Sequence, residues 1–316
     1  MDNKTETPNI QVERVDDIPV LYGHLEKMRV RAILDQVLEP HGNWQGLSPG
    51  WVLTIWLIHI LSQHTHCMDR VRGWVVRHQH TLQALTGQTI TELDFTDDRL
   101  ALCLRMLSAP GVWAEIETCL GQHIVRVYRL TDLRPVVRLD ATTGRVYHTP
   151  EDSTLFQVGR AKDGEFATLY KLMLASLDPL GLTVAVAVEA GQRADDPLYV
   201  PCYERVKQVL PEPGLLIVGD TKMSALATRA TIAAGQDVYL TPFPQRATEQ
   251  QLLEDLVTPW EGRAEQLTRI FLPEDLPADG SDPDPELALA QGFEVQRTRQ
   301  MTVGEEVVTW TERLLV

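Results

Sequence analysis

The sequence predicts a mixed α/β fold in which a wholly helical stretch precedes a mixed sheet. Three observations lead there. Apolar residues recur at three- and four-residue spacing through residues 17–130. The texture changes at Leu133-Arg134-Pro135, where a β-branched run begins. From Val136 to Leu240, strand-like and helix-like segments then alternate.

The helical stretch opens with Val20 to Leu38, where Leu21, Leu25, Met28, Val30, Ile33, Leu34, Val37 and Leu38 form one apolar face, ended by His41-Gly42-Asn43. Ser48 can cap the next helix with Pro49 in its first position. That helix, to about Gln63, is apolar nearly all round and should be buried. Asp69 to Leu85 supplies one or two more helices. Another starts at Thr96 or Asp97 and stops at Pro110-Gly111, and a last one runs from about Val112 to Tyr128.

In the sheet region, Val136 to Asp140 reads as a short strand ending in a carboxylate. Gly144 reads as a turn that returns Arg145 to His148 as an antiparallel partner. Tyr170 to Leu177 and Leu182 to Val188 flank Asp178-Pro179-Leu180-Gly181, a hairpin turn. Pro197 to Leu210 is a helix, and Gly214 to Asp220 is the most apolar strand. Ser224 to Ala234 is a helix closed by Gly235, and Val238 to Leu240 is a strand. A helix over Gln245 to Leu256 leads to a proline- and acid-rich loop, Pro273 to Pro285. Phe293 to Arg297 and Glu306 to Val316 read as final strands. The expected organisation is thus a disordered 1–16, a helical domain over 17–130, an α/β core over 133–257, and the start of a β-rich segment over 258–316. The apolar finish at Arg313-Leu314-Leu315-Val316 suggests that the β-rich segment is incomplete.

With 316 residues, 44% hydrophobic and 23% charged, the composition is that of a globular protein of about two domains. The longest apolar run, Trp51 to Leu61, is too short for a bilayer span of about 20 residues. The polar, acidic start lacks the pattern of a secretory signal, so a cytoplasmic location is expected. Cys67, Cys103, Cys119 and Cys202 have no CxxC spacing and read as reduced thiols. The net charge of −15 argues against a broad nucleic-acid-binding surface, because phosphates attract Lys and Arg.

Asp140 and Asp220 each follow an apolar strand. A lone strand-end Asp ordinarily caps a turn. If the two strands are neighbours, however, the carboxylates converge, and their repulsion is relieved by a hard divalent cation such as Mg²⁺ or Mn²⁺. Two such ions can activate a nucleophile and stabilise a leaving oxygen in phosphodiester chemistry. Arg160, Lys162 and Lys222 are candidates for contacts with DNA phosphates, with an ordinary solvated surface as the alternative. His64-x-His66 beside His59 and Cys67 has no distal pair at zinc spacing. Trp44, Trp51, Trp56 and Trp74 read as core.

An ordered set of segments carries a resemblance. It comprises Leu139-Asp140-Ala141-Thr142, Gly159-Arg160-Ala161-Lys162-Asp163-Gly164, Leu180-Gly181-Leu182, Gly191 with Asp195-Asp196, and Val218-Gly219-Asp220-Thr221-Lys222-Met223. Together they resemble bacterial insertion-sequence transposases of the DDE type. Upstream, Leu47-Ser48-Pro49-Gly50 and Thr96-Asp97-Asp98-Arg99-Leu100 are similar to the helical domain preceding the core in one branch of them. The resemblance spans roughly residues 17–316. It implies an RNase H-like core, a two-metal Mg²⁺ or Mn²⁺ site with Asp140 and Asp220 as first and second ligands, transposon-end DNA as partner, a possible homo-oligomer, and no membrane. It also implies a third acid, a Glu on a later helix in a Tyr, Arg, Glu, Lys signature that this sequence lacks. Glu305, Glu306 and Glu312 fall on strand-like sequence instead, and Trp310-Thr311-Glu312-Arg313 resembles a strand of the domain inserted before that helix. Ala161 stands where the family commonly has Ser, Glu165 onward lacks its His-Arg-Pro run, and Thr221-Lys222 replaces a frequent Arg-Gly. The expectation is a transposase copy that lacks its third catalytic acid, or alternatively a non-catalytic copy that binds DNA or an intact transposase.

Overall fold

The computed structural model describes residues 12–130, 135–244, 247–263, 266–277 and 280–316. Its chain is mixed α/β and divides into two compact units, Met1–Asp132 with Gln208–Leu210, and Leu133–Lys207 with Pro211–Val316. Residues 1–11 of the expected disordered start, and Leu133 and Arg134 at the expected texture change, lie outside the described residues.

The elements of the first unit from Ile18 to Val127 are all helices: α1 (Ile18–Lys27), α2 (Val30–Val37), α3 (Pro49–Gln63), α4 (Met68–Arg77), α5 (Gln79–Thr86), α6 (Asp97–Leu107) and α7 (Val112–Val127). The single periodic stretch Val20 to Leu38 is broken in two, because Arg29 adopts a left-handed conformation (φ 56°) between α1 and α2. Ser48 caps α3, its Oγ accepting the Trp51 amide at 3.4 Å. Asp35 supports the same helix end by accepting the Gly50 amide at 2.8 Å. α3 is buried nearly all round, and Ile55, Ile58, Trp74, Phe95 and Leu100 lie at the centre of this core. Glu13 accepts the amides of His80 and Thr81 at the start of α5, which fastens residues near the start of the described chain.

The second unit is built on a six-stranded sheet of β1 (Val136–Arg145), β2 (Gln157–Arg160), β3 (Phe166–Leu177), β4 (Leu182–Ala190), β5 (Leu216–Gly219) and β6 (Val238–Leu240). β4 and β1 both pair antiparallel with β3, and β5 and β6 continue the sheet parallel to β1. Parallel neighbours need crossover connections; α8 (Tyr199–Val209) lies between β4 and β5, and α9 (Leu226–Ala234) between β5 and β6. Alternate residues of β3 are buried (Leu169, Lys171, Met173, Ala175, Leu177), the period-two pattern of a sheet with one covered face.

The expected turn at Gly144 does not occur. β1 continues through it to Arg145, and Gly144 pairs with Tyr170 of β3. A Cβ at Gly144 would lie 2.5 Å from the Tyr170 ring, so this glycine serves close packing rather than chain reversal. Arg145 to His148 therefore supplies no antiparallel return strand. On the other edge of β3, β2 and β4 share the strand end to end: Leu169 faces Gln157 of β2, and Tyr170 faces Ala190 of β4.

Beyond the sheet come α10 (Ala247–Val257), the short pair β7 (Thr268–Ile270) and β8 (Ala290–Gly292), and a ten-residue hairpin of β9 (Glu294–Val303) and β10 (Glu306–Leu315). β9 and β10 pack against α9. No helix among the described residues is long and apolar enough to cross a membrane.

Candidate metal centre

The parallel ladder between β1 and β5 ends with Leu139 opposite Gly219. Asp140 and Asp220 are the next residue on each strand. Neighbouring strands lie about 4.8 Å apart, so the two acids leave the ladder side by side. From here the strands part: β1 runs on beside β3, with Asp140 opposite Leu174, while β5 turns into the short 3₁₀ helix Thr221–Ser224. Gly219 permits that turn, since a Cβ there would sit 2.6 Å from the buried Met223 sulfur. Openings at the carboxyl ends of parallel strands are where α/β sheets generally place ligands.

Both carboxylates are exposed. Asp220 Oδ1 accepts the Tyr199 hydroxyl at 2.6 Å and the Lys222 amide at 2.9 Å, while Asp140 Oδ1 accepts the Ala141 amide at 2.9 Å. Among the described residues, neither Oδ2 has a hydrogen-bond partner. Tyr199 is fully buried in α8. Burial first, then the bond to Asp220, then the negative fields of Asp220, Asp140 and Asp195 push its hydroxyl far above the usual tyrosine range. It is therefore a permanent donor, and three acids gather about one hydroxyl. Asp195 is answered by the Lys171 ammonium, at 2.5 Å, which also meets the Arg193 carbonyl. Two carboxylates remain with an open oxygen each.

This donor set fits a hard divalent cation, which takes oxygen ligands and keeps several waters. It does not complete a coordination shell, and no group of three His, Cys, Asp or Glu side chains suited to a metal occurs among the described residues. Glu305 and Glu306 lie at the exposed tip of the β9–β10 hairpin. Glu312 is buried, and both its oxygens are taken by arginines and Tyr239.

The phosphate candidates divide. Lys222 follows the pair by two residues, its Nζ 3.9 Å from Asp196 Oδ1. Arg160 and Lys162 occupy the β2–β3 turn instead. Arg160 is opposite Phe166, eight residues along β3 from the Leu174 that faces Asp140, or about 26 Å of strand. They are not brought to the pair. The neighbouring acids of that turn, Asp163 and Glu165, are bound by Arg145.

Tyr199 and Lys171 are the neighbours that sequence reasoning passes over. Lys171 carries a signal, a lone charge on the buried face of an apolar strand; Tyr199 carries none. All four cysteines are free, and His59 is buried beside Trp74, its imidazole disposed to stay neutral by burial and by the charges of Arg77 and Arg70. The chain matches no family model, and no curated protein matches it.

Proposed function

We propose that the second unit is an RNase H-like core of the kind found in DDE transposases, and that Asp140 and Asp220 hold Mg²⁺ or Mn²⁺ for cleavage and joining of DNA phosphodiesters. One observation carries this reading: two acids stand side by side just past the last rung of the parallel β1–β5 ladder, in a sheet ordered β4-β3-β1-β5-β6. The ordered motifs of the sequence support it independently. In this reading the divalent ions would activate the attacking water or 3′-hydroxyl and stabilise the leaving oxygen. The protein's own part is orientation. Tyr199 and the Lys222 amide hold Asp220 Oδ1, which leaves Oδ2 to face the cation. The Ala141 amide does the same for Asp140. Lys171 removes the charge of Asp195 from the site.

A second reading, a non-catalytic protein that binds transposon ends or an intact transposase, draws on the two-carboxylate count. Manganese titration followed by electron paramagnetic resonance, joined to cleavage of a labelled transposon-end duplex, tests both. The first reading expects Mn²⁺ binding that weakens at least about tenfold in Asp140→Asn and Asp220→Asn, with cleavage lost. Mn²⁺ binding identical in the three proteins, or cleavage that survives both substitutions, would overturn the metal assignment. DNA binding without cleavage selects the second reading.

A further inference from the structure

The β9–β10 hairpin meets α9 and β6 at a cluster that the paired acids do not use. Glu312 is 6% exposed. Its Oε1 accepts Arg229 Nη1 and, at 2.6 Å, the Tyr239 hydroxyl. Its Oε2 accepts Arg297 Nε at 2.5 Å and Arg299 Nε at 3.2 Å. Three guanidinium groups thus share one carboxylate, and no other carboxylate among the described residues binds any of the three. Arg313, the next charge along β10, is already paired with Glu294.

Holding a single hairpin in place does not require this excess. One buried carboxylate balances one cation, and each further desolvated charge is costly unless something compensates it. Arg297 shows the excess at the level of single atoms. Its Nη1 is buried and has no hydrogen-bond partner, although guanidinium N–H groups are among the strongest donors in a protein. Arg297 also lines a cavity of about 80 Å³, together with Arg229, Arg313, Ser224, Thr241 and Phe243. The Phe243 ring centre lies 5.5 Å from the Arg297 guanidinium carbon. One water needs about 10–15 Å³ of such volume, so the cavity has room for a tetrahedral oxyanion.

We propose that this arginine-lined cavity is a binding site for a phosphate-type oxyanion, held by the guanidinium groups of Arg297 and Arg229. Arginine forks match phosphate oxygens in geometry as well as charge. The shared chemistry is a phosphoryl group, either free orthophosphate or a phosphodiester of a nucleic-acid strand. Thr241 ties the cavity to the acid pair: it lines the wall, and its Oγ1 donates to the Asp220 carbonyl at 2.8 Å. The oxyanion site depends on the arginines alone and stands whether or not Asp140 and Asp220 bind a metal.

Calorimetric titration of the full chain in EDTA, with orthophosphate and separately with a single-stranded decanucleotide, tests it without any metal. Orthophosphate is expected to bind. Arg297→Lys keeps the charge beside Glu312 but loses the planar fork, and should weaken binding about tenfold. Arg313→Gln, on the face of β10 opposite Glu312 and paired with Glu294, should leave it unchanged. Glu312→Gln removes the competing negative charge and should tighten binding. Competition between decanucleotide and orthophosphate assigns the site to a phosphodiester; orthophosphate binding without competition assigns it to the free anion. No binding of either probe at millimolar concentration overturns the proposal, as does binding that Arg297→Lys and Glu312→Gln both leave unchanged.

Discussion

Replacing Glu312 by Gln isolates how much of the second unit's stability one ionised side chain supplies. Burial alone would raise the Glu312 carboxyl, but the Tyr239 hydroxyl and the Arg229 and Arg297 guanidinium groups outweigh it and hold the group down at about 2. The ordinary carboxyl value is 4.5, and every tenfold change in a proton-binding constant is worth ~1.4 kcal/mol. The ionised group thus contributes on the order of 3 kcal/mol at neutral pH. Because the folded value lies below the unfolded one, that contribution is fully present above about pH 4.5 and disappears as the pH falls towards 2. Gln fills the same volume and cannot ionise. Urea unfolding of both proteins from pH 8 down to pH 3, followed by tryptophan fluorescence, should show a nearly constant gap above about pH 5. The gap should then narrow as acid removes the wild-type advantage. Other carboxylates titrate over the same range in both proteins, so the difference between them is the informative quantity. A gap below about 1 kcal/mol at pH 7, or one that is as wide at pH 3 as at pH 7, would refute the ion-cluster account.

Two more predictions concern the sheet around the paired acids. Gly144→Ala should destabilise by about 1–3 kcal/mol through overpacking against the Tyr170 ring, and in a Tyr170→Val background the same change should cost far less; equal costs in the two backgrounds, measured by denaturation, would show that the ring contact is not the cause. Tyr199→Phe removes the donor to Asp220 Oδ1 and should cost about 1–2 kcal/mol, seen as a fall in Tm of a few degrees, and an unchanged Tm would mean that the bond holds nothing in place.

That Asp140 and Asp220 each follow an apolar strand was legible, although their adjacency, only a condition in the sequence, comes from the β1–β5 pairing. The length of β1 was not. A glycine that opens a turn and a glycine that admits a tyrosine ring look alike in sequence, and only the pairing of Gly144 with Tyr170 separates them. The same strand extension removes Arg160 and Lys162 from the acids. β3 begins four residues before the expected Tyr170, and those residues carry the β2 turn away along the sheet. The break at Arg29 was hidden for a related reason: the apolar spacing continues across it, while the left-handed residue carries no glycine or asparagine to announce it. The arginine cluster is illegible in principle from periodicity, since Arg229, Arg297 and Arg299 come from a helix and a distant hairpin strand and meet only through Glu312.

That cluster also bears on the chain's net charge of −15, the observation that weighs most heavily against a nucleic-acid partner. Net charge is a property of the whole chain, but the field that a phosphate meets is local. At physiological ionic strength exposed charges are screened over about 8 Å, so acids such as those of the Pro273 to Pro285 loop act mainly on their own surroundings. Buried guanidinium groups are screened far less. Arg229 and Arg297, gathered about one buried carboxylate, can therefore outweigh more numerous, solvated acids at short range, while those acids still discourage unspecific association with a polyanion. An acidic chain with a concentrated basic pocket would bind a phosphoryl group at one place and repel it elsewhere. Overall charge thus excludes a broad electrostatic surface and leaves room for a site built from Arg229 and Arg297.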